Sequence, residues 1–75
     1  MLVIPTINME KTGQNIKRLR KQAGLSIKDI QYVFGFTTPQ AIYKWQRGLS
    51  LPTVDNMVVL AALFDVKVDD ILIFD

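Results

Sequence analysis

The chain has 75 residues, of which 49% are apolar, and it carries a formal net charge of +2. This length allows one small domain, and the apolar fraction excludes a disordered tail. The absence of cysteine and histidine excludes a disulfide scaffold and a thiolate zinc site, and it removes the commonest catalytic acid–base group. The longest apolar run, from Met57 to Phe64, falls short of the roughly 18–20 residues of a membrane span, and we expect no secretory signal.

Charge is distributed unevenly along the chain. Residues 1–47 carry eight cations and two anions, a net charge of +6, whereas residues 48–75 carry one cation and five anions, a net charge of −4. A basic half favours a polyanionic partner such as nucleic acid, although small soluble domains also separate charge by chance. Charge alone leaves both interpretations open.

The first eleven residues show no helical period and contain Pro5, which disfavours a helix around it. We therefore predict an extended N-terminal arm, residues 1–11, followed by a domain of residues 12–75. The apolar residues of the arm are expected to cover part of the core or to bind a partner. These residues are Leu2, Val3, Ile4, Ile7 and Met9.

Two helices are predicted next. The first runs from Gly13 to Ala23 with Thr12 as its N-cap, and its inward stripe contains an arginine, Arg20, that needs a polar partner. The second runs from Ile27 to Phe34 and begins with the capping box of Ser26 and Asp29. The predicted inward residues of these helices are Ile16, Leu19, Ala23, Ile27, Ile30, Val33 and Phe34.

The third predicted helix spans residues 39–47, with Thr38 as its cap and Pro39 in the first position, where a missing N–H costs nothing. Ile42 and Trp45 share the core-facing side. The opposite side is polar and free of acidic residues. It carries Gln40, Tyr43, Lys44 and Arg47 at helical spacing.

The remaining sequence predicts two further helices. One runs from Val54 to Phe64 with Thr53 as its cap, and a short one runs from Val68 to Ile73. The predicted buried stripe of the longer helix is Met57, Leu60, Ala61 and Phe64, widened by Val58, Val59 and Leu63. The sequence thus predicts an all-α, compact five-helix bundle with no strand pairing. Its second and third helices are joined by a four-residue link, as in a helix-turn-helix motif.

An ordered set of short segments resembles the Cro/phage-repressor helix-turn-helix domain, also called the XRE family. The segments are residues 16–21 (Ile-Lys-Arg-Leu-Arg-Lys), 24–26 (Gly-Leu-Ser), 41–48 (Ala-Ile-Tyr-Lys-Trp-Gln-Arg-Gly), 51–53 (Leu-Pro-Thr) and 65–66 (Asp-Val). The resemblance covers about residues 12–73. It implies a lambda-repressor-like DNA-binding domain, in which the third helix enters the DNA major groove.

The resemblance also implies the contact residues. Base contacts fall on Thr38, Gln40, Ala41, Tyr43 and Lys44, and phosphate contacts fall on Ser26, Lys28, Arg47, Ser50 and Thr53. The chain departs from the family pattern at four places. The turn before the third helix is one residue longer, Ile27 replaces a DNA-contacting Gln, Gln46 replaces a Glu that pairs with the arginine at position 20, and Lys67 replaces a Ser cap.

The expected function is sequence-specific binding of double-stranded DNA by a bacterial or phage-type transcriptional regulator, acting as a cytoplasmic homodimer. We expect no cofactor, metal, membrane partner or small-molecule substrate, and no enzymatic activity, because no nucleophile is paired with a base. One alternative is a protein-interaction module on the same fold, such as an antitoxin-like partner that binds through its apolar arm and tail.

Several residues keep a structural alternative. Gln40, Lys44 and Arg47 also fit a solvated helix face, and Tyr43 fits packing against the second helix. Ile73 and Phe74 fit either a cover for the core or an exposed patch used in dimerisation. The stripe of Lys17, Arg18 and Lys21 fits solubilising charge or a weaker role in steering DNA.

Overall fold

The computed structural model describes residues 2–75. These residues form five helices: α1 (Met9–Gln22), α2 (Ile27–Phe34), α3 (Gln40–Arg47), α4 (Val54–Phe64) and α5 (Val68–Ile71). The all-α, five-helix prediction is confirmed, and the bounds of α2 and α4 are those predicted. None of the helices formed by residues 2–75 could span a lipid bilayer.

Helix α1 begins four residues before its predicted start, so residues 9–11 are helical and do not belong to an extended arm. Asn8 is the N-cap, because its side-chain oxygen accepts the Lys11 backbone N–H at 2.9 Å. Thr12, predicted as the cap, lies inside the helix and is fully buried. The prediction overlooked Asn8, which is as strong a capping residue as Thr.

The starts of α3 and α5 show how caps vary in this fold. Helix α3 begins at Gln40 with Pro39 in the N-cap position and no side-chain cap, so the predicted Thr38 cap is wrong. Helix α5 ends at Ile71, two residues before the predicted end. At its start, the Asp70 carboxylate accepts the Lys67 backbone N–H at 2.9 Å, which compensates for a lysine that cannot cap.

One β-bridge joins the two ends of the described chain, where no strand pairing was predicted. Ile7 and Phe74 pair in antiparallel fashion. The Asn8 N–H donates to the Ile73 carbonyl at 2.7 Å, and the Asp75 N–H donates to the Thr6 carbonyl at 2.9 Å. This bridge explains the early end of α5, because residues 73–75 turn back to lie beside the arm.

The core is built around α1, which packs against α3, α4 and α5, while α2 packs against α3. Its buried apolar residues are Ile16, Leu19, Ile30, Ile42, Trp45, Met57, Leu60, Ala61, Phe64 and Ile71. These include the predicted stripe of α4 and the predicted core residues of α3. Ala23, Val33, Val58 and Val59 are exposed, which contradicts their predicted inward positions.

Two polar side chains of α1 are buried and tie it to α5. The Thr12 hydroxyl accepts the Ile73 N–H at 2.9 Å. The Asn15 amide donates to the Asp70 carbonyl at 2.8 Å and to the Ile71 carbonyl at 3.0 Å. Since buried polar groups are costly when unpaired, these bonds fix where the end of α5 lies on α1.

Candidate nucleic-acid interface

The link between α2 and α3 is held in shape by aromatic packing. The rings of Phe34 and Phe36 stack with centroids 5.2 Å apart, and both meet the ring of the buried Trp45 edge-on, at 5.6 and 5.9 Å. The Gln31 side chain donates to the Phe36 carbonyl at 3.1 Å. Gly35 takes a positive φ of 68° to end α2. This cluster fixes the angle at which α3 leaves the body.

Sequence reasoning did not assign a role to this cluster. The signal available was the spacing of two phenylalanines on either side of a glycine, followed by the tryptophan of α3. A helix whose buried tryptophan packs against two rings from the preceding segment keeps its opposite side at a fixed orientation. The cluster is therefore a positioning element for the outward face of α3.

The outward face of α3 (Gln40, Tyr43, Lys44 and Arg47) is exposed and lines an open groove of about 340 Å³. Tyr43 is 42% exposed, so its ring is not buried against α2. Within residues 2–75, no hydrogen bond engages the side chains of Gln40, Lys44 or Arg47. Their donors and acceptors are therefore available to a ligand.

The other predicted base contacts lie beside this face. Thr38 is exposed at the turn before α3, and Ala41 is half-buried against the core. An alanine in that position presents only part of its methyl group. The structure thus brings together four of the five predicted base-contact residues on one exposed side of α3 and its turn, with Ala41 at the edge.

The predicted phosphate contacts at the starts of α2 and α4 lie beside carboxylates. The backbone N–H and side chain of Ser26 bond to Asp29 and hold the pKa of that carboxyl below its ordinary value of 3.8. The Thr53 hydroxyl donates to Asp55, and this bond, with the Asn56 backbone N–H, lowers the pKa of Asp55 in the same way. The Thr53 hydroxyl is therefore already engaged in the free protein.

The remaining predicted phosphate contacts have no carboxylate partner of this kind. Lys28 and Arg47 are exposed, and Ser50 is half-buried after α3. Lys28 also lines a second open cavity of about 510 Å³ with Gln31, Tyr32, Gly35 and Phe36.

Three of the five acidic residues in the second half of the chain lie in or after α5, and two of these bond to other parts of the chain. Helix α5 packs against α1 and α4, and its acidic residues lie with it. Asp70 caps α5, and Asp75 accepts a bond from the Asn8 amide at 2.8 Å. The predicted partner of Arg20 is also found: its guanidinium donates to Gln46 at 3.0 Å and to the Leu25 carbonyl at 2.8 Å.

The fold and this site define a helix-turn-helix protein. A family model described as "Helix-turn-helix" matches residues 16–71, and the chain belongs to this family. It is accordingly a sequence-specific DNA-binding protein of the transcription-regulator class.

Three solved structures share the fold at a TM-score of 0.71 and 24% identity. The restriction-modification controller protein C.AhdI from Aeromonas hydrophila covers 84% of this chain and 94% of its own. The DNA-binding domain of BldD covers 87% of this chain and 93% of its own, and that of S. venezulae BldD covers 87% and 96%. At this identity the likeness shows the fold alone. Among the curated proteins, none matches this chain.

Proposed function

We propose that α3 enters the major groove of double-stranded DNA and reads bases with Gln40, Tyr43 and Lys44. Thr38 and Ala41 contribute contacts at the near end of the helix. The observation that carries this proposal is the exposed outward face of α3, whose polar groups have no partner within the described chain. A face without acidic residues meets the negative potential of DNA without repulsion.

The residue types suit base recognition. A Gln side chain pairs in bidentate fashion with adenine, and Lys donates to the acceptors of guanine, each good bidentate pair contributing about 1–3 kcal/mol of discrimination. Gln40 lies in the first turn of α3, the end that reaches the base edges in helix-turn-helix proteins. The exposed edge of Ala41 suits a thymine methyl group.

We assign the main phosphate contacts to Arg47, Lys28 and Ser50. Such contacts set the register of the protein on the duplex without reading its sequence. Ser26 and Thr53 are also assigned to phosphates, but each already bonds a neighbouring carboxylate, so we assign them a smaller share of the affinity.

We further propose that the protein binds as a homodimer to two half-sites separated by about one helical turn, roughly 34–36 Å. Two exposed apolar surfaces, residues 2–4 and the outer side of α4, support a second copy of the chain as the partner. In a bacterial or phage-type setting, its DNA target places the protein in the cytoplasm. The proposal includes no catalytic step, cofactor, membrane partner or small-molecule substrate.

Selection of bound duplexes from a random pool tests the proposal and yields the site, its symmetry and the half-site spacing. Affinities for the selected site and for random DNA are then measured for two variants. Lys44→Ala should lose more affinity at the selected site, by about 1–3 kcal/mol, whereas Arg47→Ala should weaken both alike. Lys67→Ala, at an exposed position before α5 where only the backbone N–H forms a capping bond, is the matched charge control. Equal losses for both variants on both kinds of DNA would reject the assignment.

A second candidate, the protein-interaction module, is supported by the exposed apolar residues of the arm. The salt dependence of binding to random duplex separates the two functions. DNA binding should weaken steeply with salt, since each phosphate contact adds about 0.9 to the slope of log affinity against log salt. Absent or salt-insensitive binding favours the protein-interaction module.

A further inference from the structure

Two apolar surfaces of the chain are left uncovered. The first is the apolar arm, Leu2, Val3 and Ile4, whose side chains are 85, 80 and 77% exposed. The second is the outer face of α4, formed by Val54, Val58, Val59 and Ala62. Single exposed apolar residues are ordinary, but contiguous groups of them indicate an interaction site.

The outer face of α4 is unusual because the helix is apolar almost all round. Its inner side is buried in the core, and of its exposed positions only Asp55 is polar. Val54 and Val58 lie one turn apart on the same row and are 84 and 56% exposed. A helix that is hydrophobic on every side is normally covered on every side. Since the other four helices leave this face exposed, a different segment or a second molecule must cover it.

The apolar arm is fixed only at its base. The Thr6 carbonyl and the Asn8 N–H bond to the tail, which holds this part of the chain beside α1 and α5. The three residues before Pro5 make no contact that buries them, and the outer face of α4 stays open in the same chain. The arm and this face are therefore both free to meet a second molecule.

The bonding pattern argues against edge pairing between two arms. The main-chain groups of Thr6 and Asn8 bond to residues 73–75. Because successive residues of an extended strand direct their main-chain groups to opposite sides, those of Pro5 and Ile7 point to the other, unpaired edge. Pro5 has no N–H to offer there, and a strand added along this edge would lose a ladder bond. The arm offers its side chains for burial and does not offer a complete strand edge.

We propose that the apolar arm of one copy packs against the outer face of α4 of a second copy, and the reverse, in a symmetric dimer. A second copy fits because it supplies both surfaces. In a two-fold symmetric dimer, both arms and both outer faces of α4 are then covered. Residues 2–7 carry no charged side chain, so the arm matches an aliphatic helix face and not a polyanion. This inference rests on the homodimer part of the proposed function.

The chain contains no cysteine, so single-cysteine variants form disulfides only at the chosen positions. Ile4→Cys and Val58→Cys are mixed, oxidised without DNA and compared with each variant alone, after circular dichroism shows that both are folded. The mixed disulfide should exceed either self-disulfide several-fold. Tyr32→Cys, at an 87% exposed position on α2, should give no comparable product when mixed with Ile4→Cys.

Sedimentation analysis provides an independent measurement on the variants Ile4→Asp and Val58→Asp. Each should shift the protein toward monomer, while Tyr32→Asp should not. Dominant self-linking of Ile4→Cys would overturn the proposal in favour of arm-to-arm contact, and dominant self-linking of Val58→Cys in favour of α4-to-α4 contact. A wild-type chain that stays monomeric would also overturn it. None of these results depends on DNA binding, which the Lys44→Ala and Arg47→Ala measurements test separately.

Discussion

Gly13 of α1 lies directly against the carbonyl of Trp45 in α3. A Cβ placed on Gly13 would lie 2.6 Å from the carbonyl oxygens of both Trp45 and Gln46, a distance that real Cβ atoms do not adopt. The contact is reciprocal, because a Cβ on Gly48 would lie 2.7 Å from the Met9 carbonyl oxygen. The two glycines let α1 approach the end of α3 closely, and so set the position of α3 on the body of the protein.

Gly13→Ala is therefore expected to destabilise the protein, although the same change normally stabilises a helix interior by about 1 kcal/mol. The opposing atoms are backbone, which cannot move aside cheaply, and overpacking costs about 1–3 kcal/mol. Thermal unfolding should show a lower Tm, by about 4–8 °C for each kcal/mol. Gln14→Ala, one residue away on the exposed side of α1, is the control and should change Tm little.

The hydrogen bond between Arg20 and Gln46 should couple α1 to α3 energetically. We expect Arg20→Ala to cost more than Gln46→Ala, because Arg20 also bonds the Leu25 carbonyl. A double-mutant cycle by urea denaturation should give a coupling energy of about 1 kcal/mol. Additive losses would show that the contact adds nothing to stability.

Thr12→Val should destabilise the protein by about 1–3 kcal/mol, because it leaves the Ile73 N–H without its acceptor in a buried place. Amide hydrogen exchange should report the change most directly at Ile73. Thr12→Ser keeps the hydroxyl and should keep the protection of that amide. If both variants exchange at the same rate, the hydroxyl does not hold the tail.

The capping bonds of Asp29 and Asp55 predict an acid-sensitive fold. Both carboxyls have folded-state pKa values below the ordinary 3.8, since their charged forms accept hydrogen bonds. The stability that they contribute is present above pH 3.8 and is lost as the pH falls through the lower folded-state values. Tm measured from pH 6 downward should therefore decline below about pH 4.

Asp29→Asn tests this pH dependence, because the amide keeps an acceptor but cannot titrate. Its Tm should decline less steeply than that of the wild type in the same acid range. Gln14→Ala leaves both capping bonds in place and introduces no titratable group, so its profile should run parallel to the wild type.

Gln40→Glu should abolish binding to the selected DNA site, because a carboxylate in the first turn of α3 meets the negative potential of the groove and cannot donate to adenine. Electrophoretic mobility shift on the selected duplex measures the effect. Gln22→Glu makes the same charge change at the exposed end of α1 and should reduce affinity far less. Equal reductions would mean that general charge, and not position, causes the loss.

Much of this fold follows from sequence because its signals are local. Ser26 with Asp29, and the glycines after α2 and α3, are capping features that need no tertiary information. The bounds of α2 and α4 were predicted from such features, although Thr53 occupies the N-cap position of α4 without forming a side-chain capping bond. The exposed face of α3 was likewise predictable, because four polar residues at helical spacing face away from Ile42 and Trp45.

The errors have tertiary causes. Thr12 has the chemistry of a cap, yet its hydroxyl is used by Ile73, which is 61 residues away in sequence. Val58 and Val59 are apolar, but the core has room for only one side of α4. Phe74 pairs with Ile7, which is distant in sequence. The extended backbone of residues 73–75 therefore depends on this pairing and could not be predicted from either segment alone.

The bonds from Thr12 and Asn15 to residues 70–73 have a consequence for biosynthesis. During translation the first helix emerges long before its partners, and two side chains that are buried in the native state remain hydrated until residues 70–73 appear. Native closure is thus delayed until residues 70–73 are outside the ribosome. A nascent chain arrested before residue 70 should remain open to proteolysis.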